Sequence, residues 1–158
     1  MMDLRDKRVL VAGLGKTGQS VLPVLRRRGA HVSAADTRRD LADMDALRAQ
    51  YPEVQFQLGP FDVAQFLTQD LIVASPGLAQ NDYVFAQTRW AGVPVIGDVE
   101  LFFWLCRAPV VAITGSNGKS TVTTLVGEMA SAAGVNVRVG GNLGTPALSL
   151  LDPAAALY

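Results

Sequence analysis

The chain has 158 residues, of which 49% are hydrophobic and 18% are charged, and its 14 basic and 14 acidic residues balance to zero net charge. This composition excludes an intrinsically disordered chain, and the balanced charge argues against a nucleic-acid partner. No apolar run approaches the ~18 residues of a membrane span, no signal peptide opens the chain, and the single cysteine, Cys106, cannot form an internal disulfide. We therefore expect a soluble, cytoplasmic α/β protein with no membrane partner.

Short apolar runs rich in valine, isoleucine and alanine alternate with segments of helical character. The predicted strands are Arg8–Ala12, His31–Ala35, Val54–Gln57, Leu71–Ala74, Val93–Ile96, Val110–Ile113 and Asn136–Val139. The predicted helices are Lys16–Arg28, Arg39–Gln50, Asp62–Leu67, Asn81–Ala91, Asp98–Cys106 and Gly118–Ala133. Continuous apolar strands separated by helices are typical of a parallel sheet covered on both faces. The pattern therefore predicts a doubly wound α/β fold.

Two of the helices have distinctive patterns. The last one carries an apolar stripe at spacings of three and four, which we predict to be buried: Val122, Leu125, Val126, Met129, Ala130 and Ala133. The first helix contains Pro23, whose missing N–H removes a bond to Gln19 and predicts a kink.

A domain boundary is predicted after Gly97, so that residues 1–97 form one domain and residues 98–158 begin another. The second segment holds only a strand, a helix, a strand and a tail, which cannot cover both faces of a parallel sheet. We interpret it as incomplete, with a last strand cut short at Ala154–Tyr158. Its uncovered apolar faces predict self-association, poor solubility or disorder beyond Pro109.

The first glycine-rich turn, Gly13-Leu-Gly-Lys-Thr-Gly18, follows a strand and opens a helix. Such a turn lets an anion approach the backbone N–H groups of the helix N-terminus. Asp36 ends the next strand, where an acidic group can meet a sugar hydroxyl. The residues alone predict a Rossmann-like dinucleotide site, and the alternative is tight packing of strand and helix with no ligand.

The second glycine-rich turn is Thr114-Gly-Ser-Asn-Gly-Lys-Ser-Thr121, again between an apolar run and a helix. Backbone N–H groups of such a loop hold phosphates, Lys119 supplies a positive charge, and Ser120 can coordinate Mg²⁺. The loop is shorter than the usual phosphate loop, because Ile113 stands where the first glycine is expected. A solvated loop without a ligand is the alternative.

These two turns and further motifs resemble the Mur ligases, the ATP-dependent amide ligases of peptidoglycan precursor synthesis. The resemblance extends nearly end to end and is strongest to the branch that adds D-glutamate to UDP-N-acetylmuramoyl-L-alanine. Besides the two turns, it rests on Asp36-Thr-Arg38, Ala74-Ser-Pro-Gly77, Gly97-Asp-Val-Glu-Leu-Phe102, Thr121-Val-Thr-Thr-Leu-Val-Gly-Glu-Met129 and Gly140-Gly-Asn-Leu-Gly144.

The resemblance implies a role for each motif. In this family the Rossmann-like domain binds the uridine diphosphate of the substrate instead of NAD, and a P-loop ATPase-type α/β domain follows. The implied substrate-binding residues are Gly15, Lys16, Thr17, Asp36, Thr37, Arg38, Ser75, Pro76, Gly77 and Asn142. The implied ATP-binding residues are Gly115, Ser116, Asn117, Gly118, Lys119, Ser120 and Thr121, with Lys119 catalytic and Ser120 a magnesium ligand.

The resemblance also implies the reaction and its partners, UDP-N-acetylmuramoyl-L-alanine, D-glutamate and ATP with Mg²⁺. ATP converts the terminal carboxylate of the substrate into an acyl phosphate, which the amine of D-glutamate attacks. We expect the full-length form to be a monomer and this chain alone to bind substrate without turnover.

Two other function classes remain open. One is an NAD(P)-dependent oxidoreductase domain, in which Arg38 and Arg39 could hold a 2′-phosphate, although it leaves the second turn unexplained. The other is a non-catalytic nucleotide-binding module.

Overall fold

The chain divides into two compact units, residues 1–101 and residues 102–158. The computed structural model describes residues 3–79, 82–141 and 144–158. In these ranges no helix is long and apolar enough to cross a membrane. Asn81, the predicted start of the fourth helix, lies outside the described residues.

The first unit is built on a fully parallel sheet of five strands in the order β3-β2-β1-β4-β5. The strands are β1 Arg8–Ala12, β2 His31–Asp36, β3 Gln55–Leu58, β4 Leu71–Ala74 and β5 Val95–Gly97. Its helices are α1 Lys16–Arg27, α2 Met44–Gln50, α3 Val63–Leu67 and α4 Tyr83–Trp90, and α5 Asp98–Leu105 begins in this unit and ends in the second. Successive strands are added on one side of β1 and then on the other, which confirms the predicted doubly wound α/β fold.

The sheet is buried on both faces, as its continuous apolar strands predict. On one face, Leu10 and Ala12 of β1 share a buried cluster with Phe66 of α3 and Phe85 of α4. On the other face, Val11 lies under the start of α1. Because successive side chains of a strand point to opposite faces, helices on both sides are needed to shield β1, where residues 9–12 are all inaccessible to solvent.

Helix α1 continues through Pro23 to Arg27 without interruption. Its buried side chains lie on both sides of the proline: Val21, Leu22, Val24 and Leu25. Burial of this apolar face, worth about 1.5–3 kcal/mol per large side chain, offsets the backbone hydrogen bond that proline cannot make.

Helix α2 begins at Met44 and not at Arg39, so the predicted start of this helix is wrong. The carboxylate of Asp36 accepts the backbone N–H of Arg38 at 2.9 Å, which folds the chain into a tight turn directly after β2. The N–H of Gly59 then bonds the carbonyl oxygens of Asp36 and Arg38. These contacts hold the segment after β2 in a non-helical conformation, because a local side-chain acceptor competes with helix formation.

The second unit contains α6 Lys119–Ala132 and a short 3₁₀ helix, Ala147–Leu150. The predicted strands Val110–Ile113 and Asn136–Val139 do not form. Instead, the N–H of Val111 donates to Tyr158 at 2.8 Å and the N–H of Arg138 donates to Leu157 at 2.9 Å. Three segments thus lie side by side, but each pairs over too few residues to make a ladder.

The predicted burial of the apolar stripe on α6 is also wrong. Val122, Leu125 and Met129 are 46%, 55% and 63% exposed. The helix instead turns Gly127 inward, where an added Cβ would lie 2.5 Å from a methyl group of Val139. The pattern is helical as predicted, but a hydrophobic stripe is buried only where another element covers it, and the described residues of this unit leave it open.

Candidate functional site

The first glycine-rich turn lies at the carboxyl edge of the sheet, where the strand order reverses between β1 and β4. In open α/β sheets, ligands bind in the crevice at this edge. The N–H of Gly13 donates to Ala35 at 2.7 Å, and the N–H of Ser75 donates to Ala12 at 2.8 Å. The first residue of the turn is therefore bonded to the end of β2, and the end of β1 just before the turn is bonded to the residue after β4.

Two glycines are required by the close packing of this turn. Gly13 has a φ of +91°, and a Cβ there would lie 2.8 Å from Cβ of Ser75. A Cβ at Gly18 would lie 1.7 Å from the carbonyl oxygen of Gly13, so the first turn of α1 sits directly on the loop. A side chain at Gly18 would therefore push α1 away from the loop, and one at Gly13 would displace the segment after β4.

The N-terminus of α1 is free to receive an anion. Among the described residues, no side chain caps this helix and its first turn holds no acidic residue. Gly15 and Thr17 are half-buried while Lys16 is exposed. The unpaired N–H groups of a helix N-terminus together with a nearby ammonium suit a phosphate or diphosphate.

Asp36, the last residue of β2, lies against the turn, and its carboxylate is buried. Oδ2 accepts the N–H of Leu14 at 2.7 Å and Nη2 of Arg38 at 2.7 Å, whereas Oδ1 accepts N and Nε of Arg38 at 2.9 and 2.8 Å. The hydrogen bond from the Arg38 side chain, despite the opposing effect of burial, lowers the pKa of Asp36 to about 2. The carboxylate is ionised at neutral pH, and its pairing raises the pKa of Arg38.

The structure brings most of the residues implied for the substrate together at this edge. Ser75 lies so close to Gly13 that a Cβ built there would be 2.8 Å from Cβ of Ser75. Pro76 and Gly77, which follow it, and Thr37, which follows Asp36, are exposed. Asn142 lies outside the described residues.

The second glycine-rich turn, in the second unit, is exposed to solvent over residues 114–122, and Ile113 just before it is half-buried. Gly118 precedes α6 with a φ of +73°, and nothing lies within 4 Å of a Cβ built there. Nζ of Lys119 donates to the carbonyl oxygen of Gly115 at 2.5 Å and lies 3.4 Å from that of Ser116. Ser120 and Thr121 line an open groove of about 440 Å³ along α6.

The comparisons with known proteins decide the family. The family described as Mur ligase MurD-like, N-terminal domain, matches residues 7–97, which contain the first turn, Asp36 and Ser75. The chain belongs to this family.

Relatives of the MurD-like domain match along the whole chain. A protein named "UDP-N-acetylmuramoylalanine--D-glutamate ligase" from Salmonella typhimurium is 51% identical over 158 residues, covering 100% of this chain and 35% of the relative. One of the same name from Marinobacter nauticus is 49% identical over 153 residues, covering 97% of this chain and 34% of the relative. The chain spans about a third of the length of the curated relatives it matches.

Solved Mur ligase structures share the fold. A pseudomurein peptide ligase type C from Methanothermus fervidus superposes with a TM-score of 0.57 at 24% identity, over 97% of this chain and 32% of that one. The UDP-N-acetylmuramate-alanine ligase MurC from Thermotoga maritima gives a TM-score of 0.53 at 18% identity, over 85% of this chain and 32% of that one. At these identities the likeness supports the fold alone.

Three residues in or beside the first glycine-rich turn were missed by sequence reasoning. Leu14, 1% exposed, supplies the N–H that binds Asp36. Nε2 of Gln19 donates to the carbonyl oxygen of Leu14 at 3.1 Å, and Leu78 lies 3.3 Å from a Cβ built at Gly13. An apolar residue between two glycines was the available signal for Leu14, whereas nothing in the sequence pattern marks Leu78.

The described residues offer few metal ligands. In residues 3–79, 82–141 and 144–158, no three His, Cys, Asp or Glu residues lie close enough to hold a metal ion. Ser120, the second residue of α6, would offer such an ion a single hydroxyl oxygen. That fits a magnesium ion held mainly by phosphate oxygens, since Mg²⁺ often binds through few protein ligands and the phosphates of its substrate.

Proposed function

We propose that the first unit binds the uridine diphosphate end of UDP-N-acetylmuramoyl-L-alanine, and that the full-length protein is a cytoplasmic, ATP-dependent ligase that adds D-glutamate to it. The observation that carries the proposal is the uncapped helix N-terminus at the carboxyl edge of a MurD-like domain. Relatives that match the whole chain are named for this reaction.

In this proposal the first turn holds the diphosphate. The N–H groups of Gly15, Lys16 and Thr17 open α1, and the macrodipole of the helix favours negative charge there. The ammonium of Lys16 adds a second attraction. The uridine extends toward Thr37 and Arg38, which follow the neighbouring strand β2.

The second turn holds ATP through its glycine backbone and Lys119. Residues 115–121 are exposed, and Gly118 adopts the left-handed conformation that turns the chain into α6. The ammonium of Lys119 would stabilise negative charge on the transferred phosphoryl group, with Ser120 as one ligand of Mg²⁺. Magnesium supplies further charge neutralisation on the phosphate oxygens when it is bound.

The reaction follows from the two ligands. The terminal carboxylate of the substrate attacks the γ-phosphorus of ATP, which releases ADP and forms an acyl phosphate. The amine of D-glutamate then attacks the acyl carbon, and the amide forms as inorganic phosphate and a proton leave. Because the chain spans about a third of its relatives, we expect it to bind nucleotides without catalysing this reaction.

The rival nicotinamide function is disfavoured by the site. Nε and Nη2 of Arg38 are both bound to Asp36, so the side edge of this guanidinium is occupied and only its Nη1 end is left for a 2′-phosphate. The exposed Arg39 remains available, so NADH and NADPH belong in the test.

Two matched lysine variants test the proposal. Lys16 and Lys119 are the first residues of α1 and α6, and both are exposed. Calorimetric titration with UDP and with Mg-ATP is expected to show that Lys16→Gln weakens UDP binding about tenfold or more while ATP binding is unchanged. Lys119→Gln is expected to do the reverse.

Each variant is the control for the other. Binding of NADH or NADPH in preference to UDP would assign the chain to the oxidoreductases instead. Loss of both ligands in either variant would show that the two turns do not act as separate sites.

A further inference from the structure

The strongest unexplained feature of the first turn is the saturation of the Asp36 carboxylate. Asp36 is 3% exposed, and its two oxygens accept four hydrogen bonds from Leu14 and Arg38. An ionised carboxylate offers about four lone-pair sites. A nucleotide hydroxyl or base N–H could therefore bond Asp36 only by displacing a partner that the protein already supplies.

The bonds to Arg38 fix the guanidinium in one orientation. Nε and Nη2 point at the two carboxylate oxygens, at 2.8 and 2.7 Å, in a bidentate pair. Among the described residues this leaves Nη1 and the planar faces of the guanidinium without a partner, and the side chain is 55% exposed. A guanidinium held in this way loses less side-chain entropy when it contacts a ligand.

The hydrogen bond from Leu14 to Asp36 holds the glycine turn, on the other side of the crevice. Leu14 is the residue between the first two glycines of the turn, and its N–H donates to Oδ2 of Asp36 over 2.7 Å. One carboxylate therefore joins the end of β2 to the turn after β1. Both surfaces that a nucleotide would touch, the turn and the guanidinium, depend on the same buried group.

We infer that Asp36 is a positioning residue, which holds the glycine turn and the Arg38 guanidinium in place for the nucleotide and does not itself contact the ligand. This inference rests on the proposed binding of uridine diphosphate at the first turn. It differs from the role implied by the sequence, in which Asp36 touches the ligand.

A double-mutant cycle on UDP affinity separates the two roles. In Asp36→Asn, the amide oxygen can still accept the Leu14 N–H, but the bidentate charged pair with Arg38 is lost. We expect Asp36→Asn to weaken UDP binding about tenfold in the natural chain. In an Arg38→Ala background the same change is expected to alter affinity by less than about twofold. An equal loss in both backgrounds would show that Asp36 contacts the ligand directly and would overturn the inference.

Asp70 provides a matched control at the opposite end of the sheet. Its carboxylate accepts the backbone N–H of Arg8 at 2.8 Å and pairs with the Arg8 side chain at 3.3 Å, so it repeats the Asp36 arrangement away from the turn. Asp70→Asn is expected to leave UDP affinity unchanged. Arg38→Gln replaces Arg38→Ala in the cycle if circular dichroism shows that the alanine variant does not fold.

A second readout needs no ligand. In the free chain, NMR is expected to show slow hydrogen exchange at the Nε–H of Arg38 and at the amide of Leu14. Asp36→Asn is expected to speed exchange at the Arg38 group. In the UDP titration of the mutant cycle, Arg38→Lys is expected not to recover the affinity lost in Arg38→Ala, because an ammonium cannot form the bidentate pair. If the natural chain fails to bind UDP, the proposed function is overturned. The positioning role is then decided by these exchange rates, and fast exchange at both groups would refute it.

Discussion

The two glycine-rich turns both lie between an apolar run and a helix, but they differ in the contacts that hold them in place. The first is enclosed by its neighbours. A Cβ at Gly13 would collide with Ser75, one at Gly18 would collide with the carbonyl oxygen of Gly13, and the N–H of Leu14 is bonded to Asp36. The second is open, and its prominent contact is that of Lys119 with the carbonyl of Gly115. A glycine turn before a helix can therefore be fixed by its neighbours or by its own backbone, and the pattern alone does not distinguish the two.

The last glycines of the two turns give the largest expected contrast. Gly18→Ala would place a Cβ 1.7 Å from a carbonyl oxygen, so we expect it to destabilise the first unit by more than about 3 kcal/mol. Gly118→Ala meets no atom within 4 Å, and only its φ of +73° opposes the change, at about 1 kcal/mol. Native-state hydrogen exchange of β1 and α6 amides measures each unit separately. Equal losses would contradict the contrast.

The leucines of the two following helices give the next contrast. Leu25 of α1 is completely buried, whereas Leu125 of α6 is 55% exposed. Leu25→Ala is expected to cost about 2–5 kcal/mol in the unfolding free energy of the first unit. Leu125→Ala is expected to change that of the second unit by less than about 0.5 kcal/mol. A large loss at Leu125 would mean that the apolar stripe on α6 is covered in solution, for example by self-association, which dilution during the same measurement would reveal.

Lowering the pH is expected to cause a smaller loss of unfolding free energy, which comes from the Asp36 carboxylate beside the first turn. The folded-state pKa of Asp36, about 2, lies below its ordinary value of 3.8. The folded state therefore binds fewer protons, and the stabilisation is present above about pH 4 and is lost as the pH falls toward 2. We expect this carboxylate to contribute about 2 kcal/mol. Urea unfolding between pH 5 and pH 2 measures the dependence.

Asp36→Asn is expected to remove that contribution and flatten the pH dependence in this window. Asp70→Asn serves as the control, because Asp70 is an aspartate of the same unit paired with an arginine at the other end of the sheet. An unchanged acid dependence in Asp36→Asn would assign the effect to another carboxylate.

The sequence predicted the first unit well because its signals are local. The apolar runs of β1 and β4 matched their observed bounds, and the positions of both turns followed from glycine spacing. The predicted start of α2 was wrong because the carboxylate of Asp36 binds the backbone N–H of Arg38, two residues ahead, and so holds the chain after β2 in a turn. The predicted strands of the second unit and the predicted burial of the α6 stripe were wrong. Strand pairing and burial both require a neighbouring element, and the hydrophobic periodicity of a segment does not show whether that neighbour is present.

The candidate site could be predicted in part for the same reason. Glycine spacing located the two helix N-termini that we propose bind anions, but the hydrogen bond between Leu14 and Asp36 joins residues 22 positions apart. No local sequence pattern shows that both oxygens of a carboxylate already accept their full number of hydrogen bonds. The difference between a group that binds a ligand and one that supports the binding groups became visible only in the folded chain.

The contact of Lys119 with its own loop makes phosphate binding an exchange of partners. Its ammonium already rests on the carbonyl oxygen of Gly115, so an incoming ligand must offer it something better than a neutral acceptor. A charged phosphate oxygen does so, because it adds a direct Coulomb attraction to the ammonium that a neutral carbonyl oxygen lacks. A nucleoside without phosphates does not. If the loop binds ATP as proposed, it therefore selects for a charged phosphate before any base or sugar is recognised.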